Sequence, residues 1–254
     1  SALIGRTSWL IGAWRAAADA ARGRSDALSG KDADTGTTSV ECPPPPPDGP
    51  ILLVATQRLA PRKRAEELVR VVLAAHRRLG RDADGTPRVH LTLLGGGPLE
   101  GPVRASVAAA GADGVVDVAG RVPRESLPGH YAGAHVFVSP ARLEAFGIAA
   151  LEARTCGLAV LAARGTGPAT FLRDGFDAIL VGEGRGASDA AVDAALTDAI
   201  VGLVEHPDRL RALVTAARRA VPEAGWATVL GACDRAYREA ATRRARGDVP
   251  PEMR

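Results

Sequence analysis

From Ile51 onward, six short apolar runs, "ILLVAT", "HLTLLG", "VVDVAG", "HVFVSP", "LAVLAA" and "AILVG", alternate with longer amphipathic stretches. Each run is too short for a buried helix and rich in Val, Leu, Ile or Ala, the composition of strands covered on both faces. The stretches between them repeat at helical spacing. In "RAEELVRVVLAAHRRL", Leu68, Val72, Ala75 and Leu79 share one face, and "EGPVRASVAAAG", "RESLPGHYAGA" and "AFGIAALEARTCG" continue the alternation. Strand followed by helix, repeated, predicts an α/β domain with a doubly wound parallel sheet and ligands at the carboxyl ends of its strands. After Val181, "DAAVDAALTDAIVGLVEHP" and "DRLRALVTAARRAV" predict two more helices. In "EAGWATVLGACDRAYREAATRRARGD", Trp226, Leu230, Cys233 and Tyr237 fall at helical spacing, a packing stripe.

Residues 1–50 differ from the rest. "WLIGAWRAAADAARG" is a candidate helix that Trp9, Ile11 and Trp14 would dock, or a remnant of a missing domain. "SGKDADTGTTSVECPPPPPDGP" reads as linker, since it has little to bury and five consecutive prolines favour extended geometry. The domain expected to bind ligand therefore spans 51–254. The first residue is Ser1, which suggests a trimmed piece of something longer.

Charge and cysteine content narrow the function classes. Lys and Arg number 32 against 29 Asp and Glu, for a net charge of +3, which permits an anionic ligand or an acidic membrane surface without demanding nucleic acid. Aromatics make up only 4% and are not interleaved with basic residues, as base stacking requires. Cys42, Cys156 and Cys233 are far apart and form no C-x-x-C pair, so neither a disulfide framework nor a zinc site is indicated, and a reducing cytoplasm is the simplest setting. "LIGRTSWLIGAW" is interrupted by Arg6 and falls well short of the ~20 apolar residues of a membrane span. The basic end "YREAATRRARGD" would touch anionic lipid or cross back to another domain.

The chemistry concentrates in "SPARLEAFGIAALEARTCGLAVLAA", where Glu144 precedes Phe146 and Gly147, and Glu152 follows eight positions after the first carboxylate. A helix beginning at Phe146, directly after a strand, offers the backbone N–H groups of residues 145–148 to a phosphate. At 1.5 Å rise per residue the two glutamates would stand up to ~12 Å apart. A glycosidase pair needs roughly 5–9.5 Å; this pair suits two separate parts of an elongated ligand such as a nucleotide sugar. Basic partners for the diphosphate occur in "TQRLAPRKRAEEL", where Arg58 ends the first strand and Lys63 starts the next helix.

In order, "RLAPRK", "LLGGGPLEGPV", "VAGRV", "YAGAHVFVSPARLEAFGIAALEARTCGLAVLA" and "FLRDGFDAILV" resemble the nucleotide-binding, C-terminal half of retaining GT-B glycosyltransferases of family 4. The resemblance covers Ile51 to the C-terminal helix and implies a Rossmann-like domain that is one half of a GT-B fold. It implies transfer of a sugar from a nucleotide diphosphate sugar to an acceptor hydroxyl, with retention. Arg58 and Lys63 would bind the diphosphate and stabilise the leaving group, Glu144 would contact sugar hydroxyls, and the amides of Phe146, Gly147 and Ile148 would hold sugar and phosphates. Glu152 would grip the ribose, Gly120, Arg121 and Val122 would meet the nucleobase, and Gly96 would form the loop below it. No metal or other cofactor is implied. The partners implied are the nucleotide sugar, an unidentified acceptor and an N-terminal acceptor domain in cis or trans, with cytoplasmic placement and peripheral contact at a membrane surface.

Departures from the family pattern fall at Gln57, usually Gly, at Ala169 and Thr170, where an acidic residue is expected, and at Ala178, a common Gly. Nothing in residues 1–50 resembles the acceptor-bearing half. The alternative reading is a non-catalytic nucleotide-sugar-binding module that needs a partner; a purely structural interaction domain is a third. Taken singly, Glu144 is a dipole-compensating surface residue, and Arg58 and Lys63 are part of a solvated cluster with Arg62 and Arg64. "GGGP" lacks the G-x-G-x-x-G spacing of a dinucleotide site and reads as a tight turn. His76, His90, His130 and His206 are scattered, and Ser139 sits outside any G-x-S-x-G elbow.

Overall fold

The structure, a computed structural model, describes residues 50–112, 114–183 and 186–219, with Arg235, Arg238, Glu239, Thr242 and Arg246. The candidate N-terminal helix, the proline-rich linker, the stripe at Trp226, Leu230, Cys233 and Tyr237, and most of the basic end lie outside the described residues. Ala17–Pro222 forms one compact unit, which contains every element below; Ser1–Ala16 and Glu223–Arg254 belong to another.

All six apolar runs are strands: β1 Ile51–Thr56, β2 Val89–Leu94, β3 Val116–Gly120, β4 Val136–Ser139, β5 Ala159–Ala163 and β6 Ala178–Val181. They form one parallel sheet in the order β3-β2-β1-β4-β5-β6. Helices fill the first four connections, α1 Ala65–Leu79, α2 Glu100–Ala109, α3 Leu127–Ala132 and α4 Ile148–Thr155; a 3-10 turn, Gly167–Thr170, lies between β5 and β6, and α5 Asp189–Glu205 and α6 Pro207–Arg219 follow the last strand. Every residue of β5 and β6 is buried, which is why these strands carry no polar alternation. On α1 the expected face is buried at Leu68, Val72, Ala75 and Leu79, and Val69, Val71 and Leu73 widen it.

The order reverses between β1 and β4, because β2 and β3 are laid down on one side of β1 while β4, β5 and β6 are laid down on the other. The loops leaving adjacent strands on opposite sides of that point diverge, opening a crevice at the strands' carboxyl ends. Two side chains brace its walls from outside. His135, whose ring nitrogen Nδ1 accepts the Leu52 N–H at 3.0 Å, joins β4 to β1 at the opposite edge; burial holds it below the usual imidazole range. Arg154, wholly buried in the last turn of α4, donates to Asp177 Oδ2 at 3.0 Å and to the Ala217 carbonyl, tying α4 to the segment before β6 and to α6.

The "GGGP" segment is a close backbone crossing. Gly95 N–H donates to the Gly120 carbonyl at 2.8 Å and Leu59 N–H to the Gly96 carbonyl at 3.1 Å. A Cβ on Gly97 would lie 2.3 Å from the Leu59 carbonyl oxygen, so the loop after β2 seats under the loop after β1 only without side chains.

Candidate active site

The β1/β4 crevice holds a cleft of about 240 Å³ lined by Thr56, Arg58, Lys63, Ser139, Glu144 and Ile148, among others. That volume lies just below the usual range for whole-ligand pockets and suits one portion of a larger ligand. Arg58 follows β1 and is exposed. Lys63 ends a 3-10 turn, Pro61–Lys63, in which proline presets the first dihedral.

Lys63 and Glu144 meet although 81 residues separate them: Lys63 Nζ donates to Glu144 Oε2 at 2.5 Å. The two side chains are 27% and 21% exposed, so the pair is partly shielded from solvent and presents its remaining valences to the cleft. Gly147 N–H donates to Glu144 Oε1 at 3.2 Å, and the Gly167 N–H fixes the Glu144 carbonyl at 2.7 Å. Burial alone would raise the Glu144 carboxyl. The hydrogen bond and charge of Lys63, with the amides of Phe146 and Gly147, outweigh it and hold the group below the usual carboxylate range.

The helix starts two residues later than the sequence pattern predicts. Gly147, at φ 86 and ψ 56, is the N-cap, and α4 runs from Ile148. The amides of Phe146 and Gly147 therefore serve the Glu144 carboxylate. Those of Ile148, Ala149 and Ala150, in the first turn of a helix with no side-chain cap, line the cleft and form an anion-receptive tip. Only glycine suits the N-cap: its backbone is left-handed and an added Cβ would fall 2.5 Å from Pro168 Cγ.

Glu152 lies further along α4, with a side chain 16% exposed. Arg124, at the start of the 3-10 turn Arg124–Ser126, donates to Glu152 Oε1 at 3.2 Å. Burial raises the Glu152 carboxyl, and Arg124 opposes the rise without cancelling it. Nearby, Tyr131 on α3 donates to Thr56 Oγ1 at 3.0 Å, and burial keeps its phenol protonated. Gly96, Gly120 and Arg121 form a second group: Gly120 accepts from Gly95, and a Cβ on Gly96 would lie 3.6 Å from Arg121 Cβ. Val122 follows, half-buried.

Two residues to which the sequence pattern assigned no binding role support the site. Arg124 resembles any charge at a helix start; its pairing across 28 residues arises only from the packing of its turn beside α4. Arg64 sits at φ 59, the one left-handed non-glycine among the described residues, and is buried. It reaches both carboxylate oxygens of Asp193 at 2.9 Å and comes within 3.2 Å of Asp189, both on α5. An acidic pair four apart at a helix start was the available clue.

A doubly wound sheet with an uncapped helix tip beside a Lys–Glu pair at its switch point defines an α/β protein with an anion-receptive crevice. The family model described as Glycosyl transferases group 1 matches residues 43–219, and the chain belongs to that family of glycosyltransferases. It is 34% identical over 179 residues to the GDP-mannose-dependent alpha-(1-6)-phosphatidylinositol monomannoside mannosyltransferase of Mycolicibacterium smegmatis, covering 67% of this chain and 43% of that protein. The chain thus spans less than half the length of this relative. In fold it is similar to the pneumococcal O-GlcNAc transferase GtfA in complex with UDP and GlcNAc, at TM-score 0.60 and 23% identity over 75% of this chain and 36% of that one. It is also similar to the C-terminal domain of the group 1 glycosyl transferase LpcC of Francisella tularensis, at TM-score 0.53 and 16% identity over 68% of this chain and 86% of that one.

Proposed function

We propose that the chain is the donor-binding half of a retaining glycosyltransferase that moves a sugar from a nucleotide diphosphate sugar to an acceptor hydroxyl. The observation that carries this reading is the Lys63–Glu144 pair beside the uncapped tip of α4. The diphosphate lies at that tip, with first-turn amides and the Lys63 and Arg58 cations taking its charge. As the glycosidic bond breaks, negative charge grows on the leaving oxygen, and prepositioned cations stabilise that state more than the ground state. Glu144, held ionised by Lys63, accepts from sugar hydroxyls. The leaving oxygen takes the acceptor proton on the same face, giving retention without a protein nucleophile or a metal.

Glu152 holds the ribose, and Gly96, Gly120, Arg121 and Val122 form the base side. The acceptor site belongs to a separate N-terminal domain, in cis or trans. Its docking would cover Leu143, Phe146 and Ile148, which are 73%, 48% and 49% exposed beside the cleft. Cytoplasmic placement, with peripheral contact at a membrane surface, suits a nucleotide-sugar donor; no helix among the described residues is long and apolar enough to cross a membrane.

The test is a thermal-shift panel of nucleotide sugars. A dose-dependent rise for one base and sugar is expected, since a ligand at about a hundredfold its Kd stabilises by about 2.7 kcal/mol; no shift across the panel would overturn the reading. Transfer or slow donor hydrolysis then separates an enzyme from a module that only binds.

A further inference from the structure

We propose that Arg124 is the positioning residue for Glu152: its guanidinium holds that carboxylate ionised, so that the nucleoside hydroxyls of the donor meet an acceptor and not a carboxylic acid. This rests on the reading of Glu152 as the ribose-binding residue. Glu152 sits in an apolar helix between buried Leu151 and Ala153, with only 16% of its side chain exposed. A carboxylate so placed favours its neutral form unless a cation compensates.

Among the described residues that face it, Arg124 is the one cation, bonded at 3.2 Å from a different element. Tyr131 of α3 is neutral and donates its hydroxyl hydrogen bond to Thr56 Oγ1. Cys156 closes α4 as the residue after its last turn. A hydroxyl pair can donate to an ionised carboxylate at both oxygens; a protonated one must itself donate, so protonation removes half of the recognition. Arg124 keeps 54% of its side chain exposed, and its guanidinium can shift with the arriving ligand while its charge stays near.

The experiment compares wild type with Arg124→Ala, Arg124→Lys and Glu152→Gln in two readouts. Carboxyl carbon-13 NMR follows the ionisation of Glu152, with its resonance assigned by loss in Glu152→Gln. Calorimetry with UDP-glucose and GDP-mannose, whose diphosphates do not titrate there, follows donor affinity from about pH 5 to about pH 8. In Arg124→Ala the Glu152 resonance titrates at higher pH than in wild type. Donor affinity matches wild type at the alkaline end and falls by up to about tenfold per pH unit once the carboxyl takes its proton. Arg124→Lys restores most of the wild-type profile, and Glu152→Gln is weak and flat across the range.

An unchanged Glu152 titration in Arg124→Ala, or an affinity lost equally at every pH, overturns the proposal. Failure of both donors to bind wild type counts against the proposed function instead, and the NMR titration then still decides whether Arg124 governs Glu152. Because Arg124 is exposed, its removal leaves the fold intact, as circular dichroism would verify.

Discussion

Replacing Arg64 with glycine sets two effects of opposite sign against each other. Arg64 adopts φ 59 and ψ 43, a conformation that costs an L-residue roughly 1–2 kcal/mol, so Arg64→Gly recovers about 1 kcal/mol of strain. Against this, the substitution removes a guanidinium bonded to both oxygens of Asp193 at 2.9 Å. Truncating one partner of a buried pair costs about 3–5 kcal/mol. Asp193 keeps 25% of its side-chain exposure and water recovers part of the loss, so the lower end, about 3 kcal/mol, applies here. The net expectation is destabilisation by about 2 kcal/mol, which shifts a urea midpoint down by about 1 M. Urea titration followed by circular dichroism measures it. The pH dependence supplies a second check. Burial already raises the Asp193 carboxyl, with Arg64 opposing; without Arg64 it rises further. A carboxyl raised on folding contributes stability that is complete below its unfolded value and lost as pH climbs through its folded value. The deficit of Arg64→Gly is therefore largest at neutral pH and narrows as pH falls toward about 4. Equal or greater stability of Arg64→Gly at neutral pH would mean that strain outweighs the pair. A deficit that persists unchanged in acid would mean that packing of the arginine stem, and not charge, was lost.

Lys63→Ala is expected to lower turnover, assayed with the proposed acceptor domain present, more than it weakens donor affinity, as steady-state kinetics beside calorimetry would show; equal, small losses would argue against leaving-group stabilisation. Gly147→Ala forces a left-handed alanine and a 2.5 Å approach to Pro168 Cγ, so donor affinity should drop at least tenfold as the tip of α4 moves, measured by calorimetry with about 2–4 kcal/mol lost in urea titration. Arg154→Met leaves Asp177, 3% exposed in its side chain, with Arg173 at 3.6 Å as its one cation among the described residues. Stability should fall by about 3–5 kcal/mol, and a loss under 1 kcal/mol would show that the clamp is dispensable.

Strands β5 and β6 were legible because both of their faces are covered, which erases the period-two alternation and leaves runs such as "LAVLAA" wholly apolar, whereas β3 at one sheet edge alternates buried and exposed positions. Helical faces were legible for the converse reason, since α1 must show solvent one side and the sheet the other. Glu144 and Lys63 could be singled out by type and by position near strand ends. Their contact could not: it depends on β4 lying beside β1, a neighbour relation between strands that are not consecutive. Arg64 was unreadable for a sharper reason. A left-handed position normally announces itself through glycine, and here an ion pair to another helix holds an arginine in that conformation. His135 likewise does its work through a backbone amide 83 residues away.

The start of α4 shows how a small offset redistributes chemistry. Reading the helix from Phe146 assigns one set of amides to the ligand; starting it at Ile148 turns the amides of Phe146 and Gly147 onto Glu144 and leaves Ile148, Ala149 and Ala150 at the cleft. The carboxylate and the helix tip thereby cease to be independent. Glu144 is kept ionised by the amides just outside the helix whose own first turn awaits an anion, while Lys63 bonds the carboxylate and faces the same space. A negative ligand arriving at the tip would compete with Glu144 for Lys63, and whatever charge Lys63 gives up to the diphosphate leaves Glu144 more readily protonated. On the proposed function, sugar hydroxyl recognition and leaving-group stabilisation would in this way be drawn from one shared cation. Losing Lys63 should accordingly raise the Glu144 carboxyl while it slows transfer, an effect that substituting Arg58, with no bond to Glu144, would not reproduce.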